Sequence, residues 1–108
     1  MQIRKTYRNV SPEMLRDEIR YLLQKQEIGA GQARAQTYSV PSGQTQTRLT
    51  MPLVRSDQKE CGSLHILGFP RGETKMTLDL DETLLDQDKL ASLGQDLEFL
   101  LGTYEVRW

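Results

Sequence analysis

Residues 62–80 read GSLHILGFPRGETKMTLDL, in which two runs of β-forming residues flank a turn sequence. Proline fixes φ at about −65° and glycine tolerates left-handed backbone, so Pro70 and Gly72 predict a short hairpin loop. With Phe69 opposite Glu73, one face of the hairpin is apolar throughout, and a slip of one residue would expose that face. The predicted pairs on the apolar face are Gly62 with Leu80, Leu64 with Leu78, and Ile66 with Met76.

The other face of this hairpin is predicted to point away from the core. Apolar side chains stand on it beside His65, namely Leu67 and Phe69, and exposed apolar neighbours usually indicate a covered surface. We therefore expect either the first helix or a second copy of the chain to lie there, and we predict a homodimer through His65, Leu67 and Phe69. The predicted pairs on this face are Leu67 with Lys75, His65 with Thr77, Ser63 with Asp79, and Cys61 with Asp81.

The same turn chemistry recurs at residues 40–44, VPSGQ, and predicts an earlier hairpin. A short loop at 56–59 joins the two hairpins and keeps their apolar sides together. The two hairpins therefore predict a four-stranded antiparallel meander with one apolar face. The inward pairs of the earlier hairpin are Ala33 with Met51, Ala35 with Leu49, and Thr37 with Thr47.

A strand and a helix are predicted before the meander. Residues 2–9 are compatible with a short, rather exposed strand. Ser11 is a good N-cap, Pro12 fits the first helical position, and Glu13 faces the positive end of the helix dipole. These signals predict a helix over residues 12–26.

A second helix is predicted after the meander. Asp86 is its expected N-cap, and leucines recur on one stripe from residue 87 to 101 or 105. The chain is thus predicted to be a single α+β domain, residues 1–108, with the element order β-α-β-β-β-β-α. The long C-terminal helix packs on one face of the antiparallel sheet, and the conformation of residues 103–108 is left open.

Composition narrows the class of protein. A chain of 108 residues can bury roughly two thirds of its unfolded surface without a metal or a disulfide. The single cysteine, Cys61, cannot form an intramolecular bridge, and a reduced thiol is typical of cytoplasmic proteins. No apolar run approaches the roughly 18 residues of a membrane span. The sequence predicts a cytoplasmic protein with no membrane contact, no bound metal and no cofactor.

The two parts of the chain differ in charge. Residues 1–72 hold 11 Lys/Arg and 6 Asp/Glu, whereas residues 73–108 hold 3 and 9, and the whole chain has a net charge of −1. The net charge argues against a dedicated nucleic-acid binder, and the asymmetry fits regions that face each other within the fold or a dimer. Binding of nucleic acid or another anionic partner by the basic part stays open as an alternative. Its candidate residues are Arg4, Lys5, Arg8, Arg34 and Arg48.

Residues 78–85, LDLDETLL, contain an Asp-x-Asp-x-Thr motif similar to that of haloacid-dehalogenase-like phosphatases. The resemblance would make Asp79 the nucleophile and Asp81 the acid/base. Those enzymes carry the motif on an early strand of a parallel sheet, which needs long crossover connections. Only 23 residues follow Leu85 here, so we interpret the match at 79–83 as a chance one.

His65 and Cys61 are the only imidazole and the only thiol of the chain. Four residues of strand separate them by about 13 Å, which is too far for a nucleophile–base pair or shared metal ligation. His65 is diagonal to Asp79 and within hydrogen-bond reach of it. A surface His–Asp pair and a general base are the two readings, and we favour the first.

The segment 71–82, RGETKMTLDLDE, followed by a terminal helix, together with the order of elements over the whole chain, resembles the START-like helix-grip fold. In that fold a curved antiparallel sheet wraps a final long helix, and members commonly hold an apolar or amphipathic small molecule between the two. The resemblance implies such a ligand here. Small inward residues and a glycine in the leucine stripe leave space that either holds the ligand or lets the helix pack closely on the sheet, and we favour close packing. The predicted ligand-binding residues are Ala33, Ala35, Thr37, Gly94 and Leu97.

The sequence therefore favours a small non-catalytic protein that binds a small apolar ligand or a protein partner. One alternative is a START-like cyclase or hydrolase that uses Tyr38 or His65 as a cavity group. The predicted register places both side chains on the outer face of the sheet, which is why the enzyme ranks second. Binding of nucleic acid or an anionic partner is the third possibility.

Overall fold

The computed structural model describes residues 1–31, 34–39, 45–69 and 72–106. It contains an antiparallel sheet of six strands and two helices, in the predicted order with one short strand added. The predicted strand 2–9 and the predicted helix 12–26 agree with the structure to within one residue, and the second helix ends at the earlier of its two predicted ends, residue 101. The elements are β1 (Gln2–Arg8), α1 (Pro12–Lys25), β2 (Gly29–Ala30), β3 (Arg34–Ser39), β4 (Thr45–Val54), β5 (Glu60–Gly68), β6 (Glu73–Leu80), α2 (Gln87–Leu101) and a 3-10 turn (Gly102–Tyr104).

The strands lie in the order β1-β6-β5-β4-β2, and β3 also pairs with β4. Both β2 and β3 therefore occupy the same edge of β4, with Ala30 opposite Leu53 and Arg34 opposite Thr50. The other edge of the sheet is β1, which pairs with β6 along its whole length. The short strand β2 was not predicted, because two residues are too few for a periodic signal.

The predicted register is confirmed in both hairpins. The turn residues of the two hairpins, 40–44 and 70–71, and Ala33 lie outside the described residues. The observed pairs on the predicted inward side are Gly62 with Leu80, Leu64 with Leu78, Ile66 with Met76, Ala35 with Leu49, and Thr37 with Thr47, although Ala35 and Thr37 themselves are exposed.

Capping side chains explain where the two helices begin. The Ser11 hydroxyl accepts a hydrogen bond from the Met14 amide at 3.1 Å, and Pro12 follows at the first helical position. The Asp86 carboxylate accepts from the Asp88 amide at 2.9 Å. Each cap satisfies a backbone donor that has no partner inside the helix.

Both helices pack on the same face of the sheet. Their apolar stripes join the inward residues of β4, β5 and β6 in one core cluster. An ion pair of 3.5 Å between Lys25 and Asp96 connects the two helices, and one of 3.1 Å connects Lys89 of α2 to Glu27 in the turn after α1. Helix α1 is therefore not the cover expected for the outer face of the sheet, and no helix of the described ranges lies there. The buried helix residues are Leu15, Ile19, Leu22, Leu23, Leu90, Leu93, Leu97 and Leu101.

The prediction that Cys61 points outward is wrong. Leu53 pairs with Gly62 but Val54 pairs with Glu60, so one extra residue is inserted in β5 at this point. A bulge of this kind turns the side chain of the inserted residue, and Cys61 is 1% exposed within the core. Next to it, a Cβ on Gly62 would collide with the backbone oxygen of Asp79, which explains the glycine.

The segment after α2 returns to the sheet. Residues 102–104 form the 3-10 turn, Glu105 bridges Tyr7, and the Val106 amide donates to the Thr6 carbonyl at 2.7 Å. The segment therefore adds to the free edge of β1. Among the described residues, neither helix has the length and apolar composition that crossing a bilayer would require.

Candidate functional site

The face of the sheet opposite the helices, which we call the uncovered face, is built from alternate residues of five strands. The pairing aligns these residues in rows across the sheet, with neighbouring strands about 4.8 Å apart. Side chains that are distant in sequence thereby become neighbours. One row consists of Arg4, Thr77, His65, Thr50 and Arg34. The next consists of Thr6, Lys75, Leu67, Arg48 and Gln36.

Positive charge is concentrated on the uncovered face. Within the described part of the chain this face carries five cations and three carboxylates, Glu60, Glu73 and Asp79. The segment Asp86–Leu101, on the opposite side, carries four carboxylates and one lysine. Although the net charge is only −1, positive charge is therefore concentrated on the uncovered face and negative charge on α2. The five cations are Arg4, Arg8, Arg34, Arg48 and Lys75.

Lys5 belongs to the other side of β1, although it was predicted to bind an anionic partner together with Arg4 and Arg8. It stands opposite Met76 on the core side, because successive residues of a strand point to opposite faces. Its Nζ lies 2.5 Å from Glu105 Oε1 and 3.9 Å from Glu98 Oε2. Lys5 therefore joins β1 to the C-terminal segment and to α2.

Of the three residues of the predicted homodimer, His65 and Leu67 lie on β5, the middle strand of the uncovered face, and Phe69 follows β5 at the hairpin turn. His65 is exposed, whereas Leu67 and Phe69 are half-buried. The Lys75 ammonium lies 5.2 Å from the centroid of the Phe69 ring, within the range of a cation–π contact. These apolar and aromatic side chains therefore have a cation in the strand on each side, Lys75 in β6 and Arg48 in β4.

An open groove runs beside β1 on this side of the molecule. It has a volume of about 630 Å³ and is lined by Arg4, Lys5, Thr6, Lys75, Met76 and Thr77, together with Glu105 and Val106 of the C-terminal segment. Arg4 and Lys75 are exposed, and both threonines are half-buried. The groove thus presents two exposed cations and two hydroxyl groups, together with the ion pair between Lys5 and Glu105.

His65 contacts a different partner from the one that the sequence indicated. Its Nε2 lies 3.3 Å from the Ser63 hydroxyl, whereas Asp79 stands opposite Ser63. The two-residue spacing that places Ser63 and His65 on one face of β5 could have predicted this pair. In the ranges described, the hydrogen bonds of His65 include no carboxylate that would orient the ring as in a hydrolase triad.

The predicted ligand-binding residues do not share one environment. Leu97 is 1% exposed in the core, but Ala35 and Thr37 are exposed on β3. Gly94 is half-buried, and a Cβ built on it would meet no atom within 4 Å. Ala33 lies outside the described residues, as does the side chain of Tyr38. An internal ligand site stays a prediction.

The two aspartates of the phosphatase-like motif have different surroundings. Asp79 is half-buried on the uncovered face, whereas Asp81 is exposed at the end of β6. Asp81 Oδ1 accepts hydrogen bonds from the Thr83 hydroxyl at 2.6 Å and the Thr83 amide at 2.9 Å. These bonds lower the pKa of Asp81 and hold the turn before α2. The described residues contain no group of three His, Cys, Asp or Glu side chains arranged to hold a metal.

Comparison with known proteins gives no relative, since no family description, no curated protein sequence and no solved structure matches the chain.

Proposed function

We propose that this protein is a non-catalytic binding module that holds an anionic macromolecule on the uncovered face of its sheet. The observation that carries the proposal is the separation of charge, with a surplus of two positive charges on a face that lies away from both helices. A local surplus of one sign attracts an oppositely charged partner even when the net charge of the protein is close to zero.

The cations at the two ends of the first row support this function. Arg4 and Arg34 are exposed, and neither forms an ion pair with another residue of the described ranges. Four strand steps separate them, which is about 19 Å. A partner that contacts both must be extended, as a polymer is.

The same charges disfavour a symmetric homodimer through this face. Two copies placed face to face would bring two positive surpluses together, and like charges in contact are destabilising. The central residues instead fit the middle of a surface that binds a partner of opposite charge. They are His65, Leu67 and Phe69. An anionic partner therefore explains both the cations and the central residues.

Heparin chromatography at neutral pH and low salt tests the proposal. Heparin is a polyanion, and a chain with a calculated isoelectric point of 5.8 would not be retained by it without a local basic surface. We expect retention and elution by added salt, because salt screens contacts with anionic groups. The double variant Arg4→Gln/Lys75→Gln should elute at clearly lower salt.

The matched control removes the same two charges elsewhere. Arg16 and Lys25 both belong to α1, which lies away from the uncovered face, and Arg16→Gln/Lys25→Gln should elute close to the unmodified protein. The proposal is wrong if the unmodified protein passes through at low salt, or if both double variants shift equally.

A further inference from the structure

We infer that the anionic partner is a single-stranded nucleic acid, with a phosphate bound by four residues of β1 and β6 and a base stacked on Phe69. The inference rests on the proposed function and adds the class of the partner. The four residues, Arg4, Thr6, Lys75 and Thr77, are called the phosphate cluster below.

The phosphate cluster is a compact square. Arg4 stands opposite Thr77, and Thr6 stands opposite Lys75. Opposed side chains in a sheet begin about 5 Å apart at Cβ, and residues two apart along a strand are separated by about 7 Å. The two cations and two hydroxyls therefore converge on one groove, and these are the side-chain types that bind phosphate oxygens in nucleic-acid complexes.

The negative charges around the cluster are largely compensated. Glu105, in the wall of the groove, is paired with Lys5 at 2.5 Å. Glu73, two residues from Lys75 along β6, is paired with Arg8 at 3.3 Å. Asp79 lies beyond Thr77 on the same strand and bounds the cluster at that end. An incoming anion thus meets Arg4 and Lys75 as the unneutralised charges at the centre.

Phe69 decides between nucleic acid and other anionic polymers. The Lys75 ammonium lies over its ring, 5.2 Å from the centroid, so a chain whose phosphate binds Lys75 has its adjoining base close to an aromatic ring. Bases stack on aromatic side chains irrespective of sequence, whereas a polyglutamate segment offers carboxylates only. Leu67, next to Lys75 in the same row, extends the apolar floor. Stacking requires a free base face, which a single strand presents and a duplex conceals.

Fluorescence anisotropy with three labelled probes of similar charge tests the inference. The probes are a ten-nucleotide oligothymidylate, an abasic deoxyribose-phosphate chain of the same length, and decaglutamate. We expect oligothymidylate to bind at least about fivefold more tightly than the abasic chain, because each stacked base contributes at this level. Arg4→Gln/Lys75→Gln should reduce the slope of log affinity against log salt by about 0.7 for each phosphate that the variant no longer binds.

Phe69→Leu separates stacking from charge. It keeps an apolar side chain directly after β5 and removes the ring, so we expect weaker binding of oligothymidylate and unchanged binding of the abasic chain. Comparison of the abasic chain with oligothymidylate on the unmodified protein gives the same information without any variant. A folding defect in Phe69→Leu would therefore leave the inference testable.

The outcomes distinguish this inference from the function on which it rests. Equal binding of all three probes, weakened by Arg4→Gln/Lys75→Gln, overturns the nucleic-acid inference and leaves polyanion binding standing. Tighter binding of decaglutamate has the same meaning and indicates an acidic protein partner. No binding of any probe, or a doubling of molecular mass without binding, overturns the inference and the proposed function together.

Discussion

At the scale of single residues, the Tyr7 hydroxyl differs from the other polar group buried in the described part of the core. The Thr74 hydroxyl forms a hydrogen bond there, whereas the Tyr7 hydroxyl forms none. Tyr7 has no exposed surface, and its Oη has no hydrogen-bond partner among the described residues. Burial, followed by the nearby carboxylates of Glu105 and Glu98, raises the pKa of this hydroxyl. Burying an unpaired polar group costs free energy that a phenyl ring would not.

We expect Tyr7→Phe to raise the free energy of unfolding by about 1 kcal/mol, because it removes an unsatisfied hydroxyl and keeps the ring. Urea denaturation at neutral pH measures the change. Thr74→Val is the matched control, since the Thr74 hydroxyl donates to the Val10 carbonyl at 2.7 Å. That variant should lower the free energy of unfolding by about 1 to 2 kcal/mol. A destabilised Tyr7→Phe would show that the hydroxyl has a partner.

Side-chain direction could be read from the sequence wherever alternation is unbroken. Leu64, Ile66 and Met76 point inward as predicted. Cys61 does not point outward, because a bulge depends on how the loop before β5 meets β4, and alternation along β5 alone carries no sign of it. Lys5 was grouped with its neighbour Arg4, although adjacent residues of one strand cannot share a face.

At the scale of elements, the loop between β4 and β5 is held by one arginine. Arg55 makes a bidentate ion pair with Asp57 and donates from Nη1 to the Leu84 carbonyl at 2.8 Å. The Lys59 amide also donates to Asp57 Oδ1 at 3.2 Å. The loop is thereby connected to the turn that precedes α2.

The ion pair in this loop should make the stability of the protein depend on pH in acid. The bond from Arg55, reinforced by that from the Lys59 amide, lowers the pKa of Asp57 from 3.8 to about 2. Between these values the unfolded chain binds a proton that the folded protein does not, so this contribution to stability is complete above the higher value and is lost as the pH falls through the lower one.

We expect the unmodified protein to be more stable than Asp57→Asn at pH 5, and the difference to disappear as the pH falls toward 2. Urea denaturation at several pH values gives the difference, and an NMR titration of the Asp57 carboxyl gives the pKa directly. In Arg55→Gln the pKa of Asp57 should rise toward its ordinary value. A stability difference that is constant from pH 5 to pH 2 would show that the ion pair does not form.

The elements themselves were largely predictable from local signals. Ser11 and Asp86 mark the two helix starts, and the turn chemistry with alternation fixed both hairpins. The pairing of β1 with β6 was not predictable, because nothing local distinguishes one edge of a sheet from the other. The uncovered face depends on that pairing, which brings Arg4 beside Thr77 and completes the groove.

At the scale of the whole molecule, the main feature is the distribution of charge between two sides. The sequence revealed a basic part and an acidic part along the chain, and that division suggested regions facing each other. Folding instead places most of the basic strand residues on the uncovered face and the acidic helix α2 behind the sheet. The sequence separates basic from acidic residues along the chain, and folding separates them between two faces. This second separation depends on the strand order and on both helices packing on one side, which are set by tertiary packing.

Anion binding by the uncovered face is tested most directly by an NMR titration of the isotope-labelled protein with a heparin-derived oligosaccharide, a polyanion without bases. We expect salt-sensitive amide shifts on the uncovered face, around Arg4, Lys75 and Thr77, with little change along α2. The contrary result is a set of shifts centred on the exposed apolar side of α2, around Phe99, which is 84% exposed, with the amides of β1 and β6 unchanged.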